Sequence, residues 1–161
     1  MKKYEELEHT ADLGLRIFGS TLAELLEHAA EGMFSLIGRA EFRPSELRLL
    51  RIHMDRPGPE PPQSPADPAP PQSSADAGPA GDEALLHAWL KRLLQEFNRS
   101  AYFPVTVRVE VIPAGLSATL RGGTFDPAAH TFHTEIKGVT LHALKVARIN
   151  SCWQADVIFD V

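Results

Sequence analysis

The chain of 161 residues is 43% hydrophobic and 23% charged with a formal net charge of −5, the balance of one globular domain. Cys152 is its single cysteine, so an internal disulfide is excluded. No apolar run approaches the ~20 residues that span a bilayer, and Lys2 and Lys3 are followed by no apolar stretch of the secretory kind; a cytoplasmic protein without a membrane partner is expected.

Residues 13–18 alternate, with Leu13, Leu15 and Ile17 on one face and Gly14 and Arg16 on the other. That period of two predicts a strand. Thr21 and Glu24 have the spacing of a capping box. Leu22, Leu25, Leu26, Ala29, Ala30, Met33, Phe34 and Ile37 follow at helical spacing. Gly38 stands where a C′ glycine would end that helix. Residues 46–55 predict a second strand, with Arg48, Leu50, Ile52 and Met54 on one face. Leu47 and Leu49 fall on the other, so either both faces are covered or a bulge shifts the phase.

Residues 56–81 hold all 13 prolines except Pro44, Pro104, Pro113 and Pro127. Little in this run can be buried, and it is expected to be a disordered or polyproline-like insertion on the surface. Asp82 is a candidate N-cap for a second helix. Leu85, Leu86, Trp89, Leu90, Leu93, Leu94 and Phe97 make its apolar stripe, expected in the core. Further strands are predicted over 105–111, 116–120 (ended by Gly122 and Gly123), 131–136, 139–144 and 153–160, with Asn150 and Ser151 turning the chain before the last. The order of elements predicts an α+β fold: a single domain over 1–161, interrupted by the insertion at 56–81, with two helices packed on a mixed, largely antiparallel sheet.

Three polar patches are candidates for chemistry. His9, Thr10, Ala11 and Asp12 precede the first strand; the same residues suit an Asx turn. Asp160 follows the apolar Val157, Ile158 and Phe159, which tie the last strand down. The carboxylate of Val161 is expected beside the Asp160 side chain. Two carboxylates held together repel unless a proton or cation intervenes, and calcium and magnesium favour oxygen ligands. The third patch runs from Glu135 through Lys137 to His142 and suits either a cross-strand ion pair or a partner surface. The chain has no GxSxG, P-loop, GxGxxG or HExxH motif. Its seven histidines are scattered. His28 and His87 lie off the apolar stripes and are expected to be exposed, and His130 and His133 have no cysteines to complete a zinc set. Arg39, Arg43, Arg48 and Arg51 are only loosely grouped. With the negative net charge, this argues against a direct grip on RNA.

Four segments in order resemble the archease family: HTADLGLRIFG followed by TLAELLEHAAEGMFSLI, then DEALLHAWLKRLLQEF, then GGTFDPAAHTFHTEIKGVTLHALKV, and finally WQADVIFDV. The resemblance covers the chain outside residues 56–81. It implies a one-domain α+β protein that is not itself an enzyme. Such a protein activates an RtcB-type GTP-dependent RNA ligase, promoting its guanylylation and multiple turnover in tRNA splicing or RNA repair, and meets RNA only through the ligase. It also implies a divalent metal, calcium with magnesium or manganese as alternatives, held by Asp12 and Asp160 with an oxygen of Val161. His9 is then a supporting residue, and Glu135, Lys137 and His142 are candidate contacts for the ligase. The competing readings are a stand-alone metal-dependent phosphoester hydrolase and a chaperone-like interaction module.

Overall fold

The computed structural model describes residues 2–7, 12–57 and 77–161, with the backbone alone for 77–80. One sheet is built from β1 (Tyr4–Leu7), β2 (Leu13–Gly19), β8 (Gly138–Val139), β9 (Lys145–Ile149) and β10 (Cys152–Asp160). The order is β1-β2-β10, and the far edge of β10 is shared by β9 at its start and β8 at its end. A second sheet has the order β4 (Arg48–Asp55), β6 (Gly115–Thr124), β5 (Tyr102–Ile112). A two-stranded ribbon pairs β3 (Gly38–Arg39) with β7 (Thr131–Phe132). Every ladder among the described residues is antiparallel.

Helix α1 (Leu22–Ile37) packs on both β2 and β5, and so joins the two sheets. Thr21 Oγ1 accepts the Glu24 N–H at 3.1 Å, as the capping signature predicts. The Glu24 carboxylate accepts the Ser20 hydroxyl at 2.6 Å, so one half of the box forms. Helix α2 (Ala77–Ser100) packs on α1, β5, β8 and β9. Its whole predicted stripe is buried or packed on the core, and Trp89 Nε1 donates to the Leu26 carbonyl oxygen at 2.9 Å, tying the helices together. The core thus lies where α1 and α2 meet Leu15, Ile17, Val157 and Phe159 of one sheet and Ile52, Val107, Ala118 and Leu120 of the other.

Several expectations are corrected. The second helix begins at Ala77, so residues 77–81 belong to it and Asp82 lies within it. Asp82 meets the Arg56 guanidinium at 3.1 Å instead of capping; that pair joins the two ends of the proline-rich run, whose residues 58–76 lie outside the described residues. Gly38 does not stop α1 in a left-handed turn. Its backbone is extended, and it pairs with Phe132 so closely that a Cβ would overlap the Thr131 carbonyl oxygen. Gly122 continues β6, because its missing Cβ lets the Phe103–Pro104 backbone cross at the bulge of β5. That bulge turns Val105 outward, although the alternation places it with Val107 and Val109. Neither option for Leu49 holds: β4 pairs without a bulge and Leu49 is exposed. Regular pairing in 131–136 is confined to β7, and the strand expected over 139–144 shrinks to β8 followed by a turn with Ala143 at φ 56°. Asn150 and Ser151 do form the β9–β10 hairpin turn, with φ of 51° and 65°, the positive pair a type I′ turn requires.

Candidate functional site

The site lies where three strands end together. The β2–β10 ladder finishes with Phe159 opposite Leu13. Asp160 and Asp12 are the next residues beyond that pair, at the same end of both strands. On the other edge of β10, Asp160 is paired with Gly138 and Phe159 with Val139. The Lys137 N–H donates to the Asp160 carbonyl oxygen at 2.7 Å, and the Thr140 N–H to that of Ile158 at 3.0 Å. β10 is therefore paired on both sides as far as Phe159 and on the β8 side through Asp160, with Val157 and Phe159 buried and Asp160 exposed.

Asp160 is exposed, Asp12 and Val161 half-buried. Among the described residues neither carboxylate takes part in an ion pair, and no third His, Cys, Asp or Glu side chain joins them in a metal-holding group. His9 lies outside the described residues. The donors that remain are all oxygens: two carboxylates and the main chain at the end of β10. That set fits a hard cation such as calcium or magnesium, whose shell water completes, and it does not fit zinc.

Glu135, Lys137 and His142 are all exposed on the run that enters and leaves β8. Lys137 alone of the three meets Asp160, through its backbone. Residues 133–137 form no strand, so the cross-strand pairing suggested for Glu135 and Lys137 does not arise. Leu141, between them and His142, is 68% exposed. The Thr140 hydroxyl is buried without a hydrogen-bond partner among the described residues.

The sequence reading missed the fork between Arg16 and Asp156. These residues face one another across β2 and β10, on the same outward face as Asp12 and Asp160. A signal was present: Arg16 lies four residues after Asp12, and Asp156 four before Asp160, as antiparallel pairing in this register requires. Two histidines are also corrected. His28 is buried, with Nδ1 donating to the Phe18 carbonyl oxygen at 2.6 Å, and His87 is half-buried, its Nε2 2.9 Å from the Val139 oxygen. Both serve the packing of helix on strand.

The fold is that of a two-helix antiparallel α+β domain, with the candidate carboxylates at one rim of a sheet. The model of the Archease protein family (MTH1598/TM1083) matches residues 4–60 and 68–161, the break falling in the proline-rich run. The chain belongs to the archease family. It is 31% identical over 169 residues to the protein archease of Methanosarcina acetivorans, covering 99% of this chain and 97% of that one. It is 28% identical over 167 residues to that of Thermococcus kodakarensis, covering all of both. In three dimensions it is similar to the solution structure of protein 1598 of Methanobacterium thermoautotrophicum, with TM-score 0.65, 24% identity and full coverage of both chains. It is similar also to the crystal structure of an archease, described as a possible chaperone, from Thermotoga maritima, with TM-score 0.57, 20% identity and coverage of 100% and 98%. At these identities the two structures speak to the fold. Among the described residues no helix is long and apolar enough to cross a membrane.

Proposed function

We propose that this protein is a metal-binding accessory factor that promotes guanylylation and turnover of an RtcB-type GTP-dependent RNA ligase. The observation that carries the proposal is the placement of Asp12 and Asp160 one step beyond the last pair of the β2–β10 ladder. Side chains directly opposed in an antiparallel pair have Cβ atoms roughly 4.5–5.5 Å apart, close enough for two carboxylates to share one cation. Asp12 and Asp160 would hold a divalent ion, calcium by the all-oxygen donor set, with a main-chain oxygen of Val161 and water completing the shell. Bound there, the ion supplies positive charge and open coordination positions at the rim. The chain's own residues do the rest. The paired strands hold the carboxylates in place, and Glu135, Lys137, Leu141 and His142 offer an exposed surface beside them to the ligase. A factor that binds the guanylylation-competent ligase more tightly than its other states raises the population of that state.

The test is GMP loading of the ligase with GTP, in the presence of the wild-type protein, Asp12→Ala or Asp160→Ala. Loss of stimulation in both variants is expected. Full stimulation by either would refute the role of the carboxylates. The chaperone-like reading draws on the possible chaperone role ascribed to the Thermotoga maritima archease and on the exposed Leu141. Suppression of aggregation of unrelated denatured proteins, with no effect on the ligase, would favour it.

A further inference from the structure

The outward face of the second sheet is unlike the rest of this acidic chain. Ile52, Ala118, Leu120, Val107 and Val109 point into the core, so the residues alternating with them point to solvent. In register, Arg51 faces Thr119, which faces Arg108 on the far strand. One row further, Leu49 faces Arg121, which faces Thr106. On the opposite side of the arginines, His53 faces Ser117, which faces Glu110. The arginines in ion pairs among the described residues are Arg16, Arg56, Arg92 and Arg99. Arg51, Arg108 and Arg121 are not among them, and all three are exposed.

We propose that this sheet face binds the phosphate backbone of single-stranded RNA. Adjacent strands lie about 4.8 Å apart, so Arg51 and Arg108 flank the middle strand at roughly 10 Å, with Arg121 two residues along it. The three side chains form a triangle over one small area. All three cations are guanidinium groups, whose planar fork matches two phosphate oxygens at once. Thr106, Thr119 and Ser117 place hydroxyl donors between them, the kind of side chain that supplements arginine on phosphates. An acidic protein surface is the weaker fit. A protein interface needs apolar anchors at its centre, whereas the large apolar side chains on this face, Leu49, Val105 and Ile112, come from the outer strands β4 and β5, and the central strand β6 presents Ser117, Thr119 and Arg121. Among the described residues the His53 imidazole is the one aromatic ring on the face, a limited platform for stacking, so the grip is chiefly on the backbone and without sequence preference. The net charge of −5 argues against RNA binding only when averaged over the molecule. Asp55 and Glu110 sit toward one end of the face, and the arginines toward the other.

The proposal goes beyond the ligase reading and does not depend on the carboxylate pair. It is tested by fluorescence anisotropy with a labelled oligouridylate at low salt, comparing the full chain with the triple variant Arg51→Ala, Arg108→Ala, Arg121→Ala. The wild type should bind with a log–log salt slope of about −2, from roughly −0.7 for each phosphate neutralised by three arginines. The triple variant should lose on the order of tenfold in affinity and most of that slope. The corresponding triple lysine variant should keep the slope, and circular dichroism should report an unchanged fold for both. GMP loading of the ligase involves no RNA, so the alanine variant should still stimulate it. No binding at low salt, equal binding by wild type and alanine variant, or binding of polyglutamate in place of RNA would each overturn the proposal.

Discussion

Arg16 and Asp156 stand opposite one another in the β2–β10 ladder, joined by Nε to Oδ1 at 2.9 Å and Nη2 to Oδ2 at 3.1 Å. The fork has one geometry, and it belongs to one register. A slip of a single residue in either strand would turn its outward side chains to the core face, taking Asp12 or Asp160 with them. The buried Leu15, Ile17 and Val157 oppose that slip from the other side of the sheet.

A double-mutant cycle with Arg16→Gln and Asp156→Asn should therefore give a coupling of about 0.5–1 kcal/mol in urea unfolding, the range for a partly exposed pair. A coupling near zero would make the fork an incidental surface contact.

The carboxylate pair predicts a second measurement. A ligand that binds only the folded state stabilises it by about 2.7 kcal/mol at a hundredfold excess over its Kd. For a chain of this size that raises Tm by roughly 5–11 °C. Calcium should produce such a shift in the wild type and none in Asp160→Ala. Because Asp160 is exposed and without an ion pair among the described residues, its removal should leave the metal-free Tm within a few degrees. A calcium shift that survives in Asp160→Ala would place the ion elsewhere.

Trp89 sets a third. Its ring is fully buried where α2 crosses α1, and its indole N–H is bonded to the Leu26 carbonyl oxygen. Trp89→Ala should cost about 3–5 kcal/mol of stability through the cavity it leaves. Trp89→Phe should cost less, since most of the volume is kept. Denaturant melts distinguish the two, and equal losses would mean that packing volume is not what Trp89 contributes.

What could be read in the sequence was what has a period. The stripes of α1 and α2 and the alternation of β2 and β10 each mark a buried face, and burial follows them closely, with Ile158 of β10 and His28 of α1 buried out of phase. The failures occur where backbone meets backbone. Gly38 and Gly122 were read as stops, yet each is small because another strand crosses it. The edge strand β1 has Glu5 and Glu6 between two apolar residues and shows no alternation; charge on an edge strand is a common device against aggregation. Val139, Leu141 and Ala143 alternate, yet the chain turns there after a two-residue strand. The site was legible as residue types: two aspartates at the two ends of the chain. Their placement beside one another is a matter of strand order, which no local pattern encodes. The arginine face was hidden for the same reason, since Arg51 comes from β4, far in sequence from the β5–β6 hairpin that carries Arg108 and Arg121. Of the loose group around Arg51, Arg48 instead lies over the Tyr102 ring at 5.4 Å.

Glu96 supplies the pH dependence. Its carboxylate is buried on α2 and accepts hydrogen bonds from Arg92 at 2.7 Å and from Arg99 at 2.7 and 2.8 Å. The Arg92 hydrogen bond is the largest influence and lowers its pKa; burial acts the other way, and Arg99 adds to the lowering, so the net position is below the ordinary value of 4.5. The charged form is thus favoured by folding. Its contribution is fully present above the unfolded value of 4.5 and is lost as pH falls through the lower folded value. Removing a charged hydrogen-bonded partner of this kind costs about 1–3 kcal/mol. Glu96→Gln should therefore be less stable than the wild type at neutral pH by about that amount, and the gap should close progressively as the solution is acidified below the ordinary carboxylate range. Taking the difference between the two proteins cancels the titration of every carboxylate they share. Melting curves at a series of pH values give the gap directly, and a gap that stays constant into acid would mean that the Glu96 charge is not what the two arginines stabilise.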